Sequence, residues 1–165
     1  MKKIVLCLIL LLCLTACNSA GKQVIDPDEK YMYIIDSINN NDVFLETSDN
    51  FDVTTEMAMI DGGYSYYITI DNPHIAMYRV EAVAIEKGVD YTSHMAANVG
   101  VFEEKQYNIV PNQTNVEDGY VKGIVMSGTT ENSETTLYLY VQFYNEDYSI
   151  IHSEYLQLYL SYEVQ

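Results

Sequence analysis

The chain has 165 residues, with 8 Lys and Arg against 24 Asp and Glu, three cysteines, no tryptophan and a net charge of −16. Nucleic-acid binding relies on Lys and Arg displacing phosphate counterions, so this excess of acid excludes it and also disfavours docking on an anionic lipid surface. The length suits one domain that buries about two-thirds of its unfolded surface.

At the N-terminus, Lys2 and Lys3 precede an apolar run from Ile4 to Leu12. That run is well short of the roughly 20 residues a membrane-spanning helix needs. Leu14-Thr15-Ala16-Cys17 follows. The arrangement resembles the lipobox signal of bacterial lipoproteins. The resemblance implies cleavage before Cys17 and a diacylglycerol on its sulfur; nothing else in the sequence calls for a cofactor. It also implies an extracytoplasmic protein held to a bacterial membrane. Removal of the first 16 residues leaves 149, with 6 basic against 24 acidic side chains and a net charge of −18. Cys7 and Cys13 depart with the signal and Cys17 carries the lipid, so no disulfide forms within the mature chain. Two acyl chains at about 0.8 kcal/mol per buried CH₂ outweigh charge repulsion from the membrane, which is screened beyond about 8 Å. The expected organisation is a signal peptide over 1–16, a lipidated cysteine and flexible tether over 17–25, and a single β-sandwich domain over 26–165.

Asp26-Pro27-Asp28-Glu29 reads as a helix start: Asp26 can cap, proline suits the first helical position, and the acids complement the helix dipole. Tyr31, Ile34, Ile35 and Ile38 follow at helical spacing until Asn39-Asn40-Asn41 stops the run. A strand through Tyr31, Tyr33 and Ile35 is the competing reading.

From Val43 the pattern is β. Tyr64, Tyr66, Ile68 and Ile70 alternate with Ser65, Thr69 and Asp71 before the Asn72-Pro73 turn. Met77 to Glu86 is a second strand, closed by Lys87-Gly88. Residues 98–110, 119–127, 135–144 and 149–160 supply further strands. Asn112-Gln113-Thr114, Gly128-Thr129-Thr130 and Asn145-Glu146-Asp147 are read as turns. In the last hairpin Leu137, Leu139, Val141 and Phe143 share one face, as do Leu156, Leu158 and Leu160. Pairing Tyr144 with Ser149 across 145–148 puts both rows on one side. That register points His152 and Glu154 at the core, which a β-bulge or a place at the sheet rim would relieve.

The predicted fold class is mainly β: an antiparallel immunoglobulin-like β-sandwich preceded by a short N-terminal helix. The strand ending in Asn72-Pro73, and Gly119-Tyr120-Val121-Lys122-Gly123, are similar to small immunoglobulin-like domains of exported bacterial proteins. The chain lacks the Cys…Trp…Cys signature of antibody domains.

Tyr138, Tyr140, Tyr144, Tyr155 and Tyr159 fall on the face opposite the leucines and form the candidate binding surface. Tyrosine offers an apolar ring with a polar tip, suited to stacking on sugars or gripping a protein. Cross-strand tyrosines also stabilise a sheet without any ligand, by about 0.2–1 kcal/mol a pair. Met57, Met59, His74, Met77, His94 and Met95 are soft-metal donors without compact spacing, and methionine is an ordinary core filler. Asp26, Asp28, Asp42, Glu46, Asp49 and Asp52 supply oxygen for Ca²⁺ but match no EF-hand loop. No metal site is therefore assigned. No nucleophile elbow, zincin motif or phosphate-binding glycine loop is present, and Ser19-Ala20-Gly21-Lys22 fits S-x-x-K only within the tether. The sequence thus reads as a non-catalytic binding or structural module for an envelope protein or cell-wall polymer. A carbohydrate-binding module using the same tyrosines and a hydrolase with a carboxylate pair are the rival readings.

Overall fold

The structure, a computed structural model, describes residues 26–92 and 95–163. Cys17, the tether and His94 lie outside the described residues. The chain is mainly β, with antiparallel sheets and one short helix near its N-terminus.

Helix α1 spans Pro27–Asn39. The Asp26 carboxylate accepts from the Asp28 N–H at 2.9 Å, Pro27 opens the first turn, and Asp28 and Glu29 sit at the positive end of the dipole. Tyr31, Ile34, Ile35 and Ile38 are buried, as their spacing predicts. The run ends where Asn40 donates backbone and side-chain N–H groups to the Asp36 carbonyl.

Strands β1 (Asp52–Ile60) and β2 (Gly63–Asp71) form a hairpin, and β2 also pairs with β7 (Gly123–Thr130). The second sheet has the order β4-β3-β8-β9, from Ala97–Val99, Tyr78–Ile85, Glu134–Tyr144 and Ile151–Ser161. A short parallel pair joins β5 (Asn108–Ile109) to β6 (Tyr120–Val121).

One apolar cluster draws Tyr66, Ile68, Ile70, Ile124 and Met126 from the first sheet and Val80, Ala82, Leu139, Phe143 and Leu158 from the second, among others. A second cluster lies on the other face of the four-stranded sheet, where α1 packs on Val83, Ile85 and Tyr140. Strand β3 is thus covered on both faces, which explains why it reads as a nearly continuous apolar run.

Several expectations need correction. Residues Gly128-Thr129-Thr130 are not a turn but the end of β7, and the chain turns at 131–133. Gly128 serves close packing instead: a Cβ there would lie 2.2 Å from the Tyr66 hydroxyl. The predicted strand over 98–110 is two short ones, broken after Val99 by Gly100 with φ +77°. In the last hairpin Tyr144 pairs with Ile151, not Ser149. The connection is six residues, 145–150, because Asn145, Asp147 and Ser149 bond one another and Tyr148 takes φ 59°. The shift is even, so both leucine rows keep the predicted face.

Pairing of β8 with β9 is unbroken, so no bulge relieves His152 and Glu154. His152 stacks on the Phe143 ring at 5.0 Å, and the Glu154 carboxylate accepts from the Asn50 amide through one oxygen. Its other oxygen is buried without a partner among the described residues.

Candidate binding site

The tyrosine row is split three ways by what lies over it. Tyr140, at its centre, is 4% exposed beneath α1. Its hydroxyl donates to Gln142 Oε1 at 2.8 Å and lies 3.2 Å from Ser153 Oγ. Burial is the main cause that raises its pKa, opposed by the Ser153 bond. Tyr155 is half-buried, with its ring 5.1 Å from that of Tyr140. Phe44, from the segment after α1, sets its edge on Tyr138 at 4.6 Å and on Tyr155 at 6.2 Å. That segment is held by Leu45, whose N–H and carbonyl bond the Tyr155 carbonyl and the Gln157 N–H, both at 2.9 Å.

Tyr144 faces a different cluster. Arg79 lies with its guanidinium 4.2 Å from the Tyr148 ring and 5.9 Å from the Tyr144 ring. Its Nε donates to Gln106 Oε1 at 3.0 Å, and no carboxylate among the described residues pairs with it. Arg79 and Tyr148 both adopt positive φ, 50° and 59°. Strain at two touching side chains of this kind persists only where packing fixes both. Here the bulge between Tyr78 and Glu81 turns Arg79 out onto the hairpin tip.

Only Tyr159 stands open, at 70% exposure. Tyr138 and Tyr159 are diagonal neighbours, paired with Gln157 and Thr136. They line a shallow groove of about 630 Å³ with Glu86, Lys87, Glu134 and Thr136. Gln157 Nε2 donates to the Tyr159 hydroxyl at 2.6 Å and orients the ring. The Lys87 ammonium sits 4.7 Å over the Tyr138 ring and 4.6 Å over the Phe44 ring, and donates to the Asn41 carbonyl at 3.0 Å. The groove thus joins an aromatic platform to carboxylates, hydroxyls and one fixed cation.

Comparison with known protein families, curated proteins and solved structures returns no match to this chain. The site must therefore be read from its own chemistry.

Of the predicted surface, the structure gathers Tyr138 and Tyr159 in the groove, places Tyr140 and Tyr155 under α1 and Phe44, and places Tyr144 beside Arg79. Sequence reasoning missed Glu86, Lys87, Glu134 and Phe44. Lys87-Gly88 was visible as the end of β3, yet nothing local to it reveals that β3 ends beside Tyr138. Of the soft-metal donors, Met77 is fully buried in the core, while His74 bonds the Asp49 carbonyl at 2.8 Å and lies 3.4 Å from Asp52. Among the described residues no three His, Cys, Asp or Glu side chains converge in a way that would hold a metal ion. Nor is any described helix long and apolar enough to cross a membrane.

Proposed function

We propose that this chain is a lipid-anchored, extracytoplasmic binding module, an immunoglobulin-like sandwich carried on Cys17, whose groove takes a cell-wall glycan. The observation that carries the glycan reading is Tyr159. A large ring 70% exposed, fixed by Gln157 and rimmed by Thr136, Glu86 and Glu134, has the chemistry of a sugar platform. The ring stacks on the C–H face of a pyranose while the rim accepts from its hydroxyls. A protein-binding surface would instead centre on a dry apolar core, and this groove is lined largely by polar groups. The two-sheet core and the resemblance of the first 20 or so residues to a lipobox support the remaining parts of the reading.

The test is calorimetric titration of the protein with soluble cell-wall glycan fragments, and with Tyr159→Ala alongside. Binding that the substitution weakens at least tenfold supports the reading. Binding that survives it, or none at millimolar glycan, refutes it. Mass spectrometry of the membrane-extracted protein checks the anchor: a diacylglycerol adduct on an N-terminal peptide beginning at Cys17 is expected, and an intact residue 1–16 segment would refute it.

A further inference from the structure

Next to the groove, at the same end of the domain, lies a separate cavity of about 580 Å³. Three connections meet there: the β1–β2 turn, the segment leaving β3 and the β7–β8 turn. Among its lining residues are three tyrosines, Tyr64, Tyr66 and Tyr91, and three carboxylates, Asp61, Glu86 and Glu131. Among the described residues no Lys or Arg lines it. Aromatic faces and carboxylates both attract cations, and a weakly hydrated organic cation gains from both.

Tyr66 gives the sharper clue. It is 3% exposed, yet its hydroxyl makes no hydrogen bond to any described residue. The oxygen is not among the described atoms that are sealed from solvent without a partner, so it opens onto the cavity. Gly128 makes room for it, because a Cβ there would meet the hydroxyl oxygen at 2.2 Å. Burial first, and then the charges of Tyr91, Glu86 and Tyr31, push its pKa above the ordinary 10.0, so the group stays a neutral hydroxyl. Such an oxygen can accept a hydrogen bond. Glu86 is held alongside by its own N–H, which donates to the Tyr91 hydroxyl at 2.8 Å.

We propose that this cavity binds a primary alkylammonium group, with Tyr66 accepting one N–H, Glu86 balancing the charge and the tyrosine rings enclosing the alkyl stem. A quaternary ammonium has no N–H for Tyr66, and a hydrated divalent ion gains nothing from the rings. Small amines and lysine side chains share the required chemistry. The proposal does not rest on the glycan reading, since the two sites share only Glu86.

The experiment is an NMR titration of the full chain with butylammonium, and with tetramethylammonium and Mg²⁺ at matched ionic strength. Saturable shifts of the Gly62, Gly63 and Gly128 amides are expected with butylammonium, at least fivefold tighter than with either control. Tyr66→Phe should weaken binding about fivefold and Glu86→Gln about tenfold, both with an unchanged amide spectrum elsewhere. Equal affinities for all three cations, or Tyr66→Phe binding as well as the parent, would overturn the proposal. Glycan binding is read from the Thr136 and Gln157 amides, so failure at one site leaves the other measurable. A second arm compares spermidine with an acetylated and amidated Gly-Lys-Gly peptide. Tighter binding of the peptide assigns a lysine side chain, and tighter binding of spermidine a free amine.

Discussion

Replacing Tyr140 or Tyr159 by alanine removes the same atoms from the same sheet face, yet the structure predicts very different losses. Tyr140 is 4% exposed and packs on α1, Val83 and Tyr155. Truncating a buried aromatic to alanine costs about 3–5 kcal/mol. Loss of the hydroxyl also strips Gln142 and Ser153 of a partner at 2.8 and 3.2 Å, worth about 1 kcal/mol more. A loss of about 5 kcal/mol is a large share of the roughly 5–15 kcal/mol that hold a domain folded, and lowers Tm by about 15 °C at this size. Tyr159 is 70% exposed and shares one hydrogen bond with Gln157, so its truncation should cost about 0.5 kcal/mol. Urea unfolding followed by far-UV circular dichroism measures both, with the slope of the transition checked for constancy. Losses within 1 kcal/mol of each other would refute the placement of α1 over the row. A Tyr140→Phe loss near 1 kcal/mol would show that ring packing, not the hydroxyl, carries most of the effect.

Gly100→Ala should cost about 3 kcal/mol or more, because it forces an L-residue to φ +77° and sets a Cβ 2.4 Å from the Val80 carbonyl. Gly88→Ala, at φ +88° but with nothing within 4 Å, should cost only about 1–2 kcal/mol; equal losses in urea would show the close approach to be unimportant. Asp26→Ala removes the cap on Asp28 and should cost about 1 kcal/mol while Asp26→Asn costs little; urea unfolding of both variants decides it. Burial leads the causes that hold Tyr31, Tyr66, Tyr78, Tyr91 and Tyr140 above 10.0, so the unfolded chain loses these protons first. Stability should then be intact below about pH 10 and fall as pH rises through the native values, with Tyr66 the largest contributor. Tyr66→Phe should make that alkaline decline shallower, and an unchanged slope in pH-dependent urea unfolding would refute the assignment.

The elements legible in the sequence were those whose side chains settle their own surroundings. Asp26-Pro27 and the Tyr31, Ile34, Ile35 and Ile38 spacing specify α1 because cap and apolar stripe lie within 13 residues. The leucine rows of β8 and β9 specify a face, since period-2 alternation survives any even slip. Register is another matter. It depends on how Asn145, Asp147 and Ser149 fold the tip, and that network admits six residues where four looked sufficient. Gly128 misled for a related reason: glycine marks both turns and close approaches, and only the partner, Tyr66, tells them apart. The tyrosine row was correct as a face and uninformative as a surface. Alternation says which way a ring points but not that α1 and Phe44 will lie over it. Glu86 and Lys87 could not be assigned to the groove at all, because β3 meets Tyr138 about fifty residues later in the chain.

The two ends of β3 make the same physical point in opposite ways. At its start, the guanidinium of Arg79 lies against Tyr148 and Tyr144, with Tyr78 and Tyr120 edge-on nearby. The protein places its own cation among tyrosines there and holds two residues at positive φ to do so. That arrangement locks the hairpin tip to the bulge of β3. At its far end, Tyr64, Tyr66 and Tyr91 enclose a cavity with carboxylates and without a Lys or Arg among the described residues. Aromatic rings and acids attract a cation at either end by the same quadrupole and charge terms. Where the chain supplies the cation, the result is a structural clasp; where it supplies only the rings, the acids and an unbonded hydroxyl, the proposed alkylammonium takes that place. If the reasoning holds, Arg79→Met should loosen the β8–β9 tip in amide exchange without changing butylammonium affinity. Loss of both together would mean that the far cavity depends on the clasp rather than on its own residues.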